Sequence, residues 1–214
     1  MGISAGPSGV SDGLVFQLDA ANLRSYSGTG LTANGLVSGI GGTLVNGVGF
    51  SSINGGSFIF DGTNDYIELG TSIQNYSVFT TSFWINFNFF DGSHRSPLGD
   101  DSGQFSYHIL FLSGSIYLGF PASYIGITHN NISINTWYNF VVTKNSSHSV
   151  SFYQNSLLLG TDFVEAGKLA SINKIGRGYV YDNAKISNVS FYNRALSAQE
   201  IKQNYNATKK RYGL

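Results

Sequence analysis

Cysteine is absent from all 214 residues of the sequence, which excludes a disulfide framework and every thiolate metal site. Proline occurs only three times and no low-complexity tract is present, a composition that argues against disorder. Charge is scarce as well: 11% of residues are Asp, Glu, Lys or Arg, against about 25% in an average domain. Hydration of the surface therefore falls to Gly, Ser, Asn and Thr. No apolar run approaches the roughly 18–20 residues of a membrane span, and the opening stretch MGISAGPSGV has neither the basic nor the apolar segment of a secretory signal. Neither membrane insertion nor signal-directed export is expected.

Aromatic residues are plentiful: 13 Tyr, 16 Phe and two Trp stand among small polar residues, a mixture that favours pleated, half-buried surfaces over helix faces. Formal charge sums to zero, with two basic against eight acidic side chains in residues 1–101 and ten against four in residues 102–214. The two halves are expected to interleave in one sandwich, leaving no nucleic-acid footprint. The Lys209-Lys210-Arg211 cluster is expected at a helix C-terminus, where cations complement the macrodipole.

Alternating apolar segments, bounded by Gly, Asn, Asp and Ser clusters, predict strands over 14–18, 43–45, 57–60, 66–69, 78–89, 105–112, 116–120, 124–128, 137–143, 150–153, 157–159, 172–175 and 186–191. No internal segment sustains a 3.6-residue period, so the crossover helices of a parallel sheet are missing. The expected fold is all-β, an antiparallel two-sheet jelly-roll sandwich with a short C-terminal helix. Its expected organisation is an arm over 1–12 followed by one domain over 13–214, with the helix at 197–209. Ser197 and Glu200 have capping-box spacing, and Leu196 and Ile201 stand where a hydrophobic staple closes over it. In the longest strand, Phe79, Thr81, Phe83, Ile85, Phe87 and Phe89 fall on one face and read as inter-sheet core. Thr80, Ser82, Trp84, Asn86 and Asn88 fall on the other, which is either wet or covered by a loop.

Three sets of residues carry a resemblance. The first is 12–26, DGLVFQLDAANLRSY; the second is 55–70, GGSFIFDGTNDYIELG, followed by TSFWI at 81–85. The third runs from WYNFVVT at 137–143 through KIGRG at 174–178 to YNRALSAQEI at 192–201. In this order they resemble the laminin-G-like members of the concanavalin A-like lectin/glucanase superfamily, in the form met in bacteriophage and marine-virus virion proteins. The resemblance implies a concanavalin A-like sandwich and a fold that hosts lectins, glycosidases, adhesion modules and structural domains. It also implies an Asp-rich loop before the Gly-Thr-Leu strand. Here 33–44 reads ANGLVSGIGGTL, without a carboxylate, so no calcium site carries over.

Asp61, Asn64 and Asp65 offer oxygen ligands within five residues, but calcium takes about 6 to 8 oxygens. The same segment reads as a hairpin turn in which Asp61 and Asn64 bond their own backbone and Gly62 supplies the unusual torsion. Asp100 and Asp101 read as a solvated loop. His94, His108, His129 and His148 have no zinc spacing and are expected in loops or on strand surfaces. No Gly-x-Ser-x-Gly elbow is present. The only three Glu residues, Glu68, Glu165 and Glu200, do not form the paired carboxylates of a glycosidase. Five Asn-x-Ser/Thr sequons, at Asn75, Asn131, Asn145, Asn188 and Asn206, reflect composition. Glycan binding needs an aromatic plane beside amides or hydroxyls. Trp84 with Asn86 and Asn88 meets that need, with Tyr153 as a second plane; alternatively, Trp84 is a plug under a loop or the terminal helix.

The functional expectation is a non-enzymatic virion structural protein, a capsid decoration or tail/fibre-associated subunit, that packs against its own copies or other virion proteins and binds host-surface glycans. It would be assembled in the host cytoplasm and released by lysis, with no cofactor and no metal. A soluble lectin module is the alternative, and a glycoside hydrolase a third reading.

Overall fold

The computed structural model describes residues 8–100, 107–120 and 123–214. Asp101 and the beginning of the strand expected over 105–112 lie outside them. In chain order the strands are β1 (Leu14–Asp19), β2 (Thr32–Ala33), β3 (Gly42–Val45), β4 (Gly49–Ser51), β5 (Ser57–Asp61), β6 (Tyr66–Tyr76), β7 (Phe79–Phe87) and β8 (Arg95–Gly99). They continue with β9 (Tyr107–Leu112), β10 (Ser115–Phe120), β11 (Ser123–Thr128), β12 (Trp137–Lys144), β13 (Ser149–Gln154), β14 (Leu157–Phe163), β15 (Ala170–Ile175) and β16 (Asn183–Tyr192). Helix α1 (Ala198–Thr208) and a 3₁₀ turn (Lys209–Tyr212) close the chain.

The strands form two antiparallel sheets. Sheet A runs β14-β13-β12-β7-β16-β5-β4, with β1 also paired to β16; sheet B runs β11-β10-β9-β8-β15-β6-β3-β2. Between them lies a core in which Phe79, Phe83, Ile85 and Phe87 of β7 meet Phe140, Phe111, Leu98 and Ile175. Phe111 packs edge-on to both Phe87 and Phe140, at 5.3 and 4.8 Å, the geometry that ring quadrupoles favour. This is the jelly-roll sandwich that the alternation predicts.

Three departures have physical causes. Phe89 does not reach the core: β7 ends at Phe87 and Phe89 is 52% exposed, its ring under the Arg95 guanidinium at 5.0 Å. His108 is not a surface residue but 1% exposed between the sheets, with Nε2 2.8 Å from Thr81 Oγ1. The β8–β9 ladder shifts register beside it, and such a bulge breaks the alternation that would have turned the imidazole outward. Burial alone then drives its pKa down to about 3. Finally, β8 carries Pro97, whose missing N–H reads as evidence against a strand; its carbonyl nevertheless accepts from Gly176 N at 2.8 Å.

The closing module follows its local code. Ser197 Oγ accepts from Glu200 N at 3.3 Å, while Ser197 N donates to Glu200 Oε2 at 2.8 Å. Leu196 and Ile201 are buried together with Val141, Tyr153 and Tyr192, so the staple clamps the helix to the outer face of sheet A. The basic cluster behaves differently from expectation. It lies in the 3₁₀ turn beyond α1, and Arg211 forks onto Asp19 at 2.8 and 3.2 Å. The pairs Asp19–Arg211, Asp12–Arg194 and Glu68–Lys174 join the acidic half of the chain to the basic half, so the charges interleave.

Candidate functional site

Sheet A turns its polar face toward α1, and this decides the fate of the aromatic-amide cluster. Trp84 is 2% exposed; Tyr212 stacks on it at 4.1 Å and Tyr205 at 5.6 Å. Its indole N–H donates to Thr208 Oγ1 at 3.1 Å. Tyr153 is buried beneath the same helix with Leu196 and Ile201. Asn86 is buried, and Asn88 donates through Nδ2 to Asn183 Oδ1 at 3.0 Å. The four residues therefore do not make an open sugar-binding surface. Trp84 is the plug under the terminal helix, because a strand face with one large aromatic is an apolar surface that the helix can bury.

The Asp61 segment is a turn. Asp61 Oδ1 accepts from Thr63 N at 2.7 Å, Gly62 takes a φ of 82°, and both Asp65 oxygens accept from Asp61 N at 3.1 and 3.0 Å. Asp65, not Asn64, thus supplies the second side-chain contact. Burial is the main force on the Asp65 carboxyl, raising it to about 6. Among the described residues no group of three or more His, Cys, Asp or Glu side chains is placed to hold a metal ion.

One accessible aromatic side chain, Tyr179, stands with other rings where β6, β8 and the β15–β16 connection meet. Arg177 and Tyr181 pair across a short hairpin whose tip carries Tyr179, 58% exposed. His94 lies beside Tyr179, ring centroids 5.2 Å apart. At the hairpin base, the Arg177 guanidinium stands 5.1 Å from the Tyr66 ring and 5.0 Å from the Tyr181 ring. Lys174 also approaches Tyr66, at 4.8 Å, and pairs with Glu68 at 3.1 Å.

The hairpin is braced from below. Asp182 is fully buried; its Oδ1 accepts from Ser96 N at 2.9 Å and its own N–H donates to Gly176 O at 2.9 Å. Ser96 Oγ in turn accepts from Tyr179 N at 3.2 Å. Burial raises the Asp182 carboxyl to about 7, against the lowering effects of the Ser96 bond and the Arg95 charge. Gly176, with φ 83°, allows the chain to leave β15 against Phe60: a Cβ there would lie 2.3 Å from that ring. A loop fixed by buried bonds presents its tip side chains without a large ordering cost on binding. Sequence reasoning took 174–178 only as a family landmark. The run Gly-Arg-Gly-Tyr-Val-Tyr over 176–181, two glycines before alternating tyrosines, is the signal that could have found this hairpin.

A laminin G family model, described as belonging to the concanavalin A-like lectin/glucanases superfamily, matches residues 61–202. No curated protein sequence matches the chain. Among solved structures, the receptor-binding domain of botulinum neurotoxin C/D mosaic serotype superposes with a TM-score of 0.68 at 15% identity, over 92% of this chain and 51% of that one. The chain thus spans about half the length of the receptor-binding domains it matches. Domain 4 of AbnA, a GH43 extracellular arabinanase from Geobacillus stearothermophilus in complex with arabinotriose, gives 0.69 at 13% identity, over 90% of this chain and 98% of that one. Trypanosoma rangeli sialidase in complex with sialic acid gives 0.64 at 16%, over 93% and 33%. At these identities the likeness is one of fold.

Proposed function

The chain belongs to the concanavalin A-like lectin/glucanase superfamily, and on that premise we propose that it is a non-enzymatic, glycan-binding domain whose contact surface is the Arg177–Tyr181 hairpin. The observation that carries this reading is Tyr179, an exposed ring at the tip of a hairpin held by the buried Asp182 and Ser96. A sugar ring needs such a plane for its C–H face and polar groups beside it for its hydroxyls; His94, Arg177 and the Glu68–Lys174 pair supply the latter. The non-enzymatic reading is supported by the placement of the glutamates. Glu68 is paired on sheet B, Glu200 is bound by Arg194 over sheet A, and Glu165 is an exposed loop residue. Screening the protein on a glycan array tests the proposal. Tyr179→Ala should abolish any signal while leaving the melting temperature within a degree or so of the parent, and retained binding would place the site elsewhere.

A second reading concerns the setting. Edge strand β14 leaves Leu157, Leu158 and Phe163 exposed, without the Lys or Pro that usually blunt a free edge. That edge favours a structural subunit of a virion, on capsid or tail, packed against copies of itself or other particle proteins, as does a cysteine-free chain of this fold. Mass spectrometry of purified particles tests it, and the chain's absence from them would refute it.

A further inference from the structure

Among the described residues Arg177 differs from Arg95, Arg194 and Arg211 in lacking an acidic partner. Arg95 pairs with Asp91, Arg194 with Asp12 and Glu200, and Arg211 with Asp19. Among the described residues the Arg177 guanidinium has ring contacts with Tyr66 and Tyr181 and no ion pair. Its backbone is tied to Tyr181 by the hairpin bridge, and it is only half-buried. Beside those rings its N–H edges have no hydrogen-bond partner among the described residues. Those edges form a planar fork that matches a carboxylate with two parallel bonds.

Resting on the glycan-binding reading, we infer that the ligand is an acidic saccharide, and that Arg177 binds the carboxylate of a hexuronate residue while Tyr179 carries a neighbouring ring. The local charge supports a monoanion. Lys174 is neutralised by Glu68, which among the described residues leaves Arg177 as the cation without a carboxylate at the hairpin base. Contacts with the Tyr66 and Tyr181 rings, which pack against each other at 6.3 Å, restrict the guanidinium before binding, so less side-chain entropy is lost when the fork engages.

The test uses the full chain, titrated calorimetrically with oligogalacturonate, oligoglucuronate and oligomannuronate and with the neutral galactose, glucose and mannose oligomers of equal length. At least one uronate series should bind more tightly than its neutral counterpart. Arg177→Gln should weaken it roughly 10- to 100-fold, the worth of a charge-assisted fork, and Arg177→Lys, which keeps the charge and loses the fork, should restore only part. Both variants should keep the parental melting temperature, because the brace runs through Asp182 and Ser96. If neutral and acidic oligomers bind alike and Arg177→Gln changes neither while Tyr179→Ala removes both, the acidic assignment fails and glycan binding stands. If Arg177→Lys binds as the parent does, point charge replaces the fork and the inference is overturned. Binding of neither series overturns the acidic assignment, and the glycan array then decides the glycan-binding reading by itself.

Discussion

The Trp84 indole and the Tyr212 phenol ring stack with centroids 4.1 Å apart, joining the middle strand of sheet A to the last turn of the chain across 128 positions. Trp137 adds a third ring, 4.7 Å from Tyr212. The terminal helix is therefore a third layer on one face of the sandwich, and the rings beneath it act as a small separate core.

Trp84→Ala should cost about 3–5 kcal/mol, the usual loss for a buried aromatic, and Tyr212→Ala, which removes the buried ring in contact with both Trp84 and Trp137, should also be clearly destabilising. Chemical denaturation with tryptophan fluorescence from Trp137 measures both. A Trp84→Ala variant as stable as the parent would show that the helix does not depend on the stack.

Ser197→Ala removes one side of the reciprocal cap and should cost on the order of 1 kcal/mol. Glu200 adds a pH dependence. Hydrogen bonds from Arg194, followed by the Ser197 backbone, hold its carboxyl down at about 2. A depressed carboxyl stabilises the fold above its ordinary range and loses that contribution as the pH falls toward 2. Parent and Glu200→Gln should therefore differ in melting temperature at pH 6 and converge at the acid end; a constant gap would assign the effect to packing.

Asp182 titrates in the opposite sense. Because burial lifts it to about 7, the folded chain holds the proton more tightly than the unfolded one, whose carboxyl ionises near 3.9. Its contribution is complete at low pH and drains as the pH rises through about 7. Asp182→Asn keeps an Oδ1 acceptor for Ser96 N and cannot ionise. The melting temperature of the variant should gain on the parent between pH 5 and pH 8, and parallel curves would show that Asp182 remains ionised throughout.

Dialysis against a strong chelator should leave the melting temperature unchanged. The Asp61 and Asp65 oxygens are already engaged by backbone N–H groups of their own turn. A loss of several degrees that calcium restores would redirect attention to that turn.

Most of the sandwich was legible because its strands obey a period of two, as β7 does from Phe79 to Phe87, and because the Ser197–Glu200 cap is a local code. What escaped was long-range. The row Ile201, Tyr205, Thr208, Tyr212 has helical i, i+4, i+7, i+11 spacing, but only the fold shows that Tyr205, Thr208 and Tyr212 all land on Trp84. Strands β2 and β4 are two and three residues long, too short for alternation to register, and Pro97 disguised β8. The hairpin at Tyr179 was hidden for a related reason: its rigidity comes from Ser96 and Asp182, 86 positions apart, and no local pattern announces that bond.

That dependence can be tested through Gly176. Its φ of 83° belongs to the region that L side chains rarely adopt, and an added Cβ would meet Phe60 ring atoms at 2.3 Å. Gly176→Ala must therefore either displace Phe60 from the core or pull the hairpin away from Pro97 and Ser96. Strain of this kind costs more than the about 1 kcal/mol gained by restricting the unfolded chain, so the variant should be destabilised on balance. Hydrogen exchange locates the damage: the Tyr179 amide, held by Ser96 Oγ, should lose protection before the amides of β7 or β12 do. If the amides of β7 open first, the variant has broken the core and left the hairpin intact, and Gly176 serves Phe60 packing alone.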